Sequence, residues 1–136
     1  MHSLFTADEL TLEYPIIYGI SSGVKPVRLG YALNSCSSIS VFSIDDILNY
    51  SKESAHVCYE ITHLDDSRKS LIIKNKGTNG FFYKKYRSID YLLCSCDEEE
   101  IAKEIINIVG KLREVSVCFA LNQPSQKEIL NFSQLL

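Results

Sequence analysis

An apolar strand, a short polar loop and a helix that opens with proline follow one another over residues 14–34, and this order constrains the fold more than any other feature. The strand is predicted over about 15–21 and ends in the loop Ser21-Ser22-Gly23. Pro26 suits the first helical turn, where the backbone N–H has no intrahelical partner. The helix predicted over 26–37 packs on a sheet through an apolar stripe formed by Leu29, Ala32, Leu33 and Cys36.

A second strand, helix and strand follow one another over residues 88–121. Ile89–Cys94 has the pattern of a strand, and the acidic run 97–100 supplies an N-cap and an acidic first turn for a helix. One face of that helix is apolar, with Ile101, Ile105, Ile108 and Leu112. Alternation over 115–121 predicts a last strand, and Pro124 opens a short terminal helix.

The central part of the chain has the pattern of strands and turns. Strands are predicted over about 56–64 and 70–75, joined by the turn-forming residues 65–67 into a hairpin. A second turn is predicted at 76–80, followed by extended chain over 81–83. Residues 39–43 are predicted to be extended, and Ser43 to Asp46 resemble the start of a brief helical turn near Ile47 and Leu48.

This order of elements predicts an α+β fold. We expect an antiparallel or mixed sheet of about five to six strands with two main helices on one face, in an order related to the ferredoxin-like fold. The length of 136 residues suits one domain over 1–136, with 1–12 as a loose N-terminal segment and 124–136 as a short C-terminal helix.

The charge balance argues against nucleic acid as a partner. The net charge is −3, so the chain has no excess of positive charge to neutralise a phosphate backbone. One basic cluster, Lys84 to Arg87 with Tyr83 and Tyr86 interleaved, has the composition to stack bases and hold phosphates. A solvated loop is the interpretation that we favour for it.

Membrane insertion and export are also disfavoured. No apolar run approaches the ~18 residues of a membrane span, and residues 1–10 lack the basic and apolar regions of a signal peptide. We therefore expect a cytoplasmic protein that makes no contact with a membrane, and reduced cysteines.

Cys94 and Cys96 share one strand face, but His56 and His63 form only a loose second ligand pair, so we expect no metal and no cofactor.

Two segments resemble a known family. Gly19 to Ser22, then Lys25, then Arg28 to Asn34 resemble the N-terminal segment of the IPExxVDY family, which is uncharacterised and bacterial, mainly from Bacteroidetes. Ile89, Asp90 and Tyr91 stand where that family has its Val-Asp-Tyr. The resemblance covers about residues 13–122, but Lys84-Lys85-Tyr86 replaces Ile-Pro-Glu. It implies a bacterial source and a fold, and it carries over no catalytic residue.

The loop before the first helix is the candidate ligand site. A loop that enters a helix N-terminus presents backbone N–H groups and the positive end of the dipole, which favour an anion. Ser21, Ser22, Lys25 and Arg28 would be the side-chain contributors, the arginine binding a phosphate or carboxylate through two bonds. Alternatively, the two cations are ordinary exposed charges and the serines cap the helix.

Two further features of the motifs bear on chemistry. Gly19 to Gly23 fits G-x-S-x-G, but the histidines that follow lie in a predicted hairpin strand, so we reject Ser21 as a hydrolase nucleophile. Asp90 lies inside an apolar strand, where it either faces solvent or, if buried, needs a partner such as Arg28.

These features favour a non-enzymatic interaction or regulatory module that binds a protein partner or a small anion and self-associates, as a homodimer, through an edge strand. One alternative is a small enzyme that acts on a phosphorylated or carboxylated metabolite at the Ser21–Arg28 loop. A second alternative is an RNA-associated protein.

Overall fold

One six-stranded antiparallel sheet dominates the computed structural model, which describes residues 13–63 and 69–136. The sheet strands are β1 (Ile16–Ser21), β2 (Ile39–Leu48), β3 (Ala55–His63), β4 (Lys69–Lys74), β7 (Tyr91–Ser95) and β8 (Val117–Ala120). They lie in the order β2-β3-β4-β7-β1-β8, and each neighbouring pair is antiparallel. A small hairpin contains β5 (Lys76–Gly77) and β6 (Gly80–Phe81), and the helices are α1 (Pro26–Asn34), α2 (Glu99–Gly110) and α3 (Ile129–Ser133).

The predicted α+β class, strand number and pair of main helices are therefore confirmed, while the ferredoxin-like order stays a prediction. Both main helices lie on one face of the sheet, because their apolar stripes join the side chains of that face in one buried cluster. Members of this cluster include Leu29 and Leu33 of α1, Ile105 and Val109 of α2, and Tyr18, Ile20, Ile72 and Leu93 of the sheet.

The opposite face of the sheet is covered by irregular chain. The segment between β6 and β7 and the short helix α3 contribute Phe82, Tyr83, Ile89 and Phe132 to a second buried cluster. Since both faces are covered, all five residues of β7 are buried. This explains why Tyr91 to Cys94 of β7 form an unbroken apolar run in the sequence rather than an alternating one.

The helical turn predicted near Ile47 and Leu48 is wrong. Strand β2 continues through both residues, which pair with His56 and Ala55 of β3. The register shifts between Ile44 and Ile47, so a bulge absorbs the two aspartates that suggested a helix start. Cross-strand pairing here overrides the local preference of the sequence.

Several element boundaries also differ from the predictions. Helix α1 begins at Pro26 as predicted but ends at Asn34, and α2 has Glu98 as its N-cap without a side-chain capping bond. Helix α3 begins at Ile129 rather than at Pro124. The predicted hairpin is confirmed by the pairing of β3 with β4, but its turn at 65–67 and the N-terminal segment 1–12 lie outside the described residues.

Across the ranges 13–63 and 69–136, no helix is long and apolar enough to cross a membrane.

Candidate functional site

The loop between β1 and α1 is held by contacts from distant parts of the chain. The backbone N–H of Ser22 donates to the Asp90 carboxylate at 2.8 Å, and the Ser22 hydroxyl donates to the carbonyl of Glu114 at 2.7 Å. Ser22 is itself buried. The structure thus brings together the two segments, Gly19 to Ser22 and Ile89 to Tyr91, that carry the family resemblance.

Two tyrosines fix the remainder of this loop. The Tyr91 hydroxyl donates to the carbonyl of Val24 at 2.7 Å, and the Tyr59 hydroxyl donates to the carbonyl of Pro26 at 3.0 Å. Burial raises the pKa of Tyr91 strongly, and the neighbouring Asp90 carboxylate raises it further. Both phenols therefore act as neutral donors near pH 7, and their hydrogen bonds hold the loop to the sheet.

The predicted anion contributors do not share one environment, since Ser22 is buried and Ser21 is half-buried. Lys25 and Arg28 are exposed, and the two ion pairs within the described ranges, His63 with Glu104 and Lys103 with Glu99, include neither of them. Because the Asp90 carboxylate already accepts the Ser22 N–H, it places a negative charge where a bound anion would need positive potential. The anion site stays a prediction, and the local electrostatics disfavour it.

Asp90 faces solvent, in agreement with the first of its two interpretations. Its side chain is exposed, and its hydrogen-bonding partner is the Ser22 N–H rather than the guanidinium of Arg28. Ile89 and Tyr91, on either side of it, are buried in opposite clusters of the core. The Ile89–Tyr91 motif therefore has a clear structural role, which is to anchor the start of β7 and the loop before α1.

Ser21 is not near either histidine of β3. The strands β4 and β7 lie between β3, which carries the histidines, and β1, which ends at Ser21. Three strand spacings of about 4.8 Å place β3 and β1 about 14 Å apart. The backbone carbonyl of Ser21 accepts a bond from the N–H of Ser116. This arrangement agrees with the rejection of Ser21 as a nucleophile.

The basic segment offers exposed charge, but only one of its two tyrosine rings is accessible. Lys84–Tyr86 form a short 3-10 helix in which both lysines are exposed. Tyr83 is fully buried, its hydroxyl donates to the carbonyl of Asn122, and burial raises its pKa to about 12. A base cannot stack on the buried Tyr83 ring, which leaves the half-buried Tyr86 ring, with the Lys85 amine 5.7 Å from its centroid, as the one stacking surface of this cluster.

The cysteines are distributed through the fold. No disulfide joins them, and burial raises the pKa of the Cys94 thiol well above its usual range. No group of three or more His, Cys, Asp or Glu side chains in the part of the chain that the structure describes is placed to hold a metal ion.

The two edges of the sheet differ in ways that the sequence alone did not indicate. At one edge, β2 carries the exposed pair Asp45-Asp46 at its bulge. At the other edge, β8 contains no charged residue, and Val117 and Phe119 are 50% and 40% exposed. The alternation over 115–121 had indicated an apolar face, but not that part of this face would be left uncovered.

A groove of about 750 Å³ runs beside β8 on the helix-covered face. Its walls are α2 and β8, and it combines apolar groups such as Ile106 and Cys118 with the amines of Lys103 and Lys111. A second, smaller apolar patch of about 240 Å³ lies on α1, where Tyr31 is 83% exposed. The β8 edge, its outward Val117 and Phe119, and this groove together form what we call the β8 surface.

Comparisons of the chain with protein-family models, with curated proteins and with solved structures found no match. The geometry of the chain itself therefore carries any functional conclusion.

Proposed function

We propose that this protein is a non-enzymatic interaction module whose β8 surface pairs with a strand of a protein partner. The observation that carries this proposal is the contrast between the two sheet edges. Bulges and exposed charges are the devices by which edge strands avoid pairing, and β2 has both at Asp45-Asp46. Both edge strands carry exposed apolar side chains, Val117 and Phe119 on β8 and Phe42 and Leu48 on β2, but β8 has no charged residue and no register shift in its pairing with β1.

The backbone of β8 shows which groups would pair. Leu121 donates its N–H to the carbonyl of Ile17, in register with the pairing of Tyr18 and Ala120. Backbone groups alternate in direction along an antiparallel strand. The N–H and C=O groups of Cys118 and Ala120 therefore point away from β1, and they are available to an added strand.

An added strand would also gain apolar contacts. Its side chains on one face would lie beside Val117 and Phe119, and those on the other face would enter the groove beside α2. Backbone bonds would then give affinity, and the side-chain contacts would give selectivity. The alternative at the Ser21–Arg28 loop lacks comparable support, because its shape is already fixed by internal hydrogen bonds.

A display library of random octapeptides tests this proposal. Peptides selected on the immobilised protein should bind at the β8 surface, so Phe119→Lys should weaken them by about tenfold or more, equal to about 1.4 kcal/mol. Phe42→Lys is the matched control, since Phe42 is an exposed phenylalanine on the other edge strand. It should change affinity by less than about twofold.

Hydrogen exchange locates the contact. The amides of Cys118 and Ala120 should be protected when a selected peptide is bound. A library that yields no binders on protein that native mass spectrometry shows to be monomeric, or binders that respond to Tyr31→Lys on α1 and not to Phe119→Lys, would overturn the proposal.

A further inference from the structure

We infer that the strand received by the β8 surface is β8 of a second copy of this chain, so that two six-stranded sheets join into one continuous antiparallel sheet. This inference rests on the proposed function, because it names the partner of the same surface. Three features of the described residues support it: the direction of the backbone groups, the apolar face of the strand, and the charges of α2.

The direction of the backbone groups restricts the register. Only the even-numbered residues of β8 point their N–H and C=O groups outward, so these residues must be paired with one another across a twofold axis. Cys118 then lies opposite Ala120 of the second copy, and Phe119 lies opposite the second Phe119. Paired residues point to the same face of a sheet, so the helices of both copies lie on one side.

The apolar face of β8 favours this register over the one that pairs Cys118 with itself. With Phe119 on the axis, Val117 lies beside the second copy's Leu121, and the three side chains from each copy form one apolar row. A shift that pairs Cys118 with itself would instead draw Ser116 into the interface in place of Leu121. The exposed areas of Val117 and Phe119 would both be covered, and no charged residue of one β8 would face its counterpart.

The charges of α2 are self-complementary in this arrangement. The helix begins with the acidic residues 98–100, and Lys111 and Arg113 follow its last turn. The twofold axis sets the two copies of α2 antiparallel on one face of the joined sheet. The acidic N-terminus of each α2 then points toward the basic C-terminus of the other α2. The two grooves, each lined by Lys103, lie between the helices. A strand of arbitrary sequence would not supply this charge pattern.

Oxidative crosslinking of Ala120→Cys tests the register. Directly paired residues of neighbouring antiparallel strands have Cα atoms about 5.5 Å apart, within the range of about 4.4–6.8 Å that disulfides span. With diamide as the oxidant, Ala120→Cys should give a covalent dimer in which Cys118 of one copy is joined to the introduced thiol at position 120 of the other, identified by peptide mass spectrometry. Val117→Cys is the matched control and should not crosslink, because it faces Leu121 of the second copy.

Native mass spectrometry tests the dimer without crosslinking. At about 10 µM the wild type and Phe42→Lys should be dimeric, and Phe119→Lys should be monomeric while its far-UV circular dichroism stays unchanged. A wild-type crosslink between the two copies of Cys118 would overturn the register. A monomeric wild type whose β8 surface still binds selected peptides would overturn this inference and leave the proposed function standing, whereas a monomer that binds no peptide would overturn both.

Discussion

The carboxylate of Asp90 accepts a hydrogen bond from the backbone N–H of Ser22 at 2.8 Å and so joins two parts of the chain that are 68 residues apart. The bond caps a loop amide that would otherwise be left for a ligand. It also connects the residue before β7 to the residue after β1, at one end of two adjacent central strands. Asp90 is thereby a structural residue despite its exposure.

Replacement of Asp90 measures the strength of this contact. Asp90→Ala should lower the free energy of unfolding by about 1 kcal/mol, because a charge-assisted hydrogen bond is lost at a partly exposed site. Asp90→Asn keeps an acceptor and should lose less than half of that amount in urea unfolding. Arg28→Ala should have no measurable effect, and an equal loss in Arg28→Ala would instead indicate an ion pair between the two.

Asn75 fixes the segment that covers the second face of the sheet. Its side-chain amide donates to the carbonyls of Tyr86 and Ile89 and accepts from the N–H of Tyr83, and Asn75 is fully buried. Asn75→Ala should therefore lower the free energy of unfolding by about 3 kcal/mol, at about 1 kcal/mol for each bond. The matched control is Asn79→Ala in the exposed turn, for which thermal and urea unfolding should show a change below about 0.5 kcal/mol.

Gly77 lies where a side chain cannot fit. A Cβ atom there would lie within 2.6 Å of Ser54 and of the His56 ring, both of which are buried. Gly77→Ala should lower the unfolding free energy by about 2 kcal/mol through overpacking. At Gly23 a Cβ atom would meet nothing within 4 Å, so Gly23→Ala should be neutral or slightly stabilising. Equal losses in the two variants would contradict the packing explanation.

His56 makes the stability depend on pH. The ring is fully buried, and Nδ1 lies 2.9 Å from the carbonyl of Lys74. Desolvation lowers its pKa, while backbone bonds with Lys74 and Asn75 and the charge of Asp46 oppose part of the shift. The unfolded chain then binds the proton more readily than the folded chain. Stability should therefore fall as the pH drops below about 6.5, the ordinary value for histidine, and level off below the folded pKa.

Urea midpoints at pH 7.5 and pH 5.5 measure this effect. The wild type should lose stability between the two, and His56→Gln should lose less because the titrating group is gone. His63→Gln is the matched control, since His63 is half-buried beside Glu104. An unchanged pH dependence in His56→Gln would show that other groups cause it.

The sequence predicted those parts of the fold that depend on periodicity and local chemistry. The stripes of α1 and α2 and the hairpin of β3 and β4 were recognisable because helix and strand periods appear directly in the order of apolar residues. The end of β2 was missed because aspartates favour helix starts locally, whereas the bulge between Ile44 and Ile47 is stabilised only by pairing with β3.

The candidate site was less accessible to sequence reasoning than the fold. The residues Ser21 to Arg28 were identified from a local motif, but the Asp90 carboxylate that competes with an anion there comes from another part of the chain. The β8 surface depends on which strand lies at an edge, and strand order is a long-range property. The alternation of 115–121 is the same whether β8 is central or outermost.

The position of β1 has a consequence for how the chain folds during synthesis. Tyr18 pairs with Leu93 on one side and with Ala120 on the other, so β1 has no sheet neighbour until residues 91–95 have left the ribosome. Pairings that join distant parts of a chain slow folding, because the intervening loop must be closed first. Until those pairings form, residues 16–21 are an apolar segment without a sheet partner, and chaperone binding to them would protect the nascent chain during that interval.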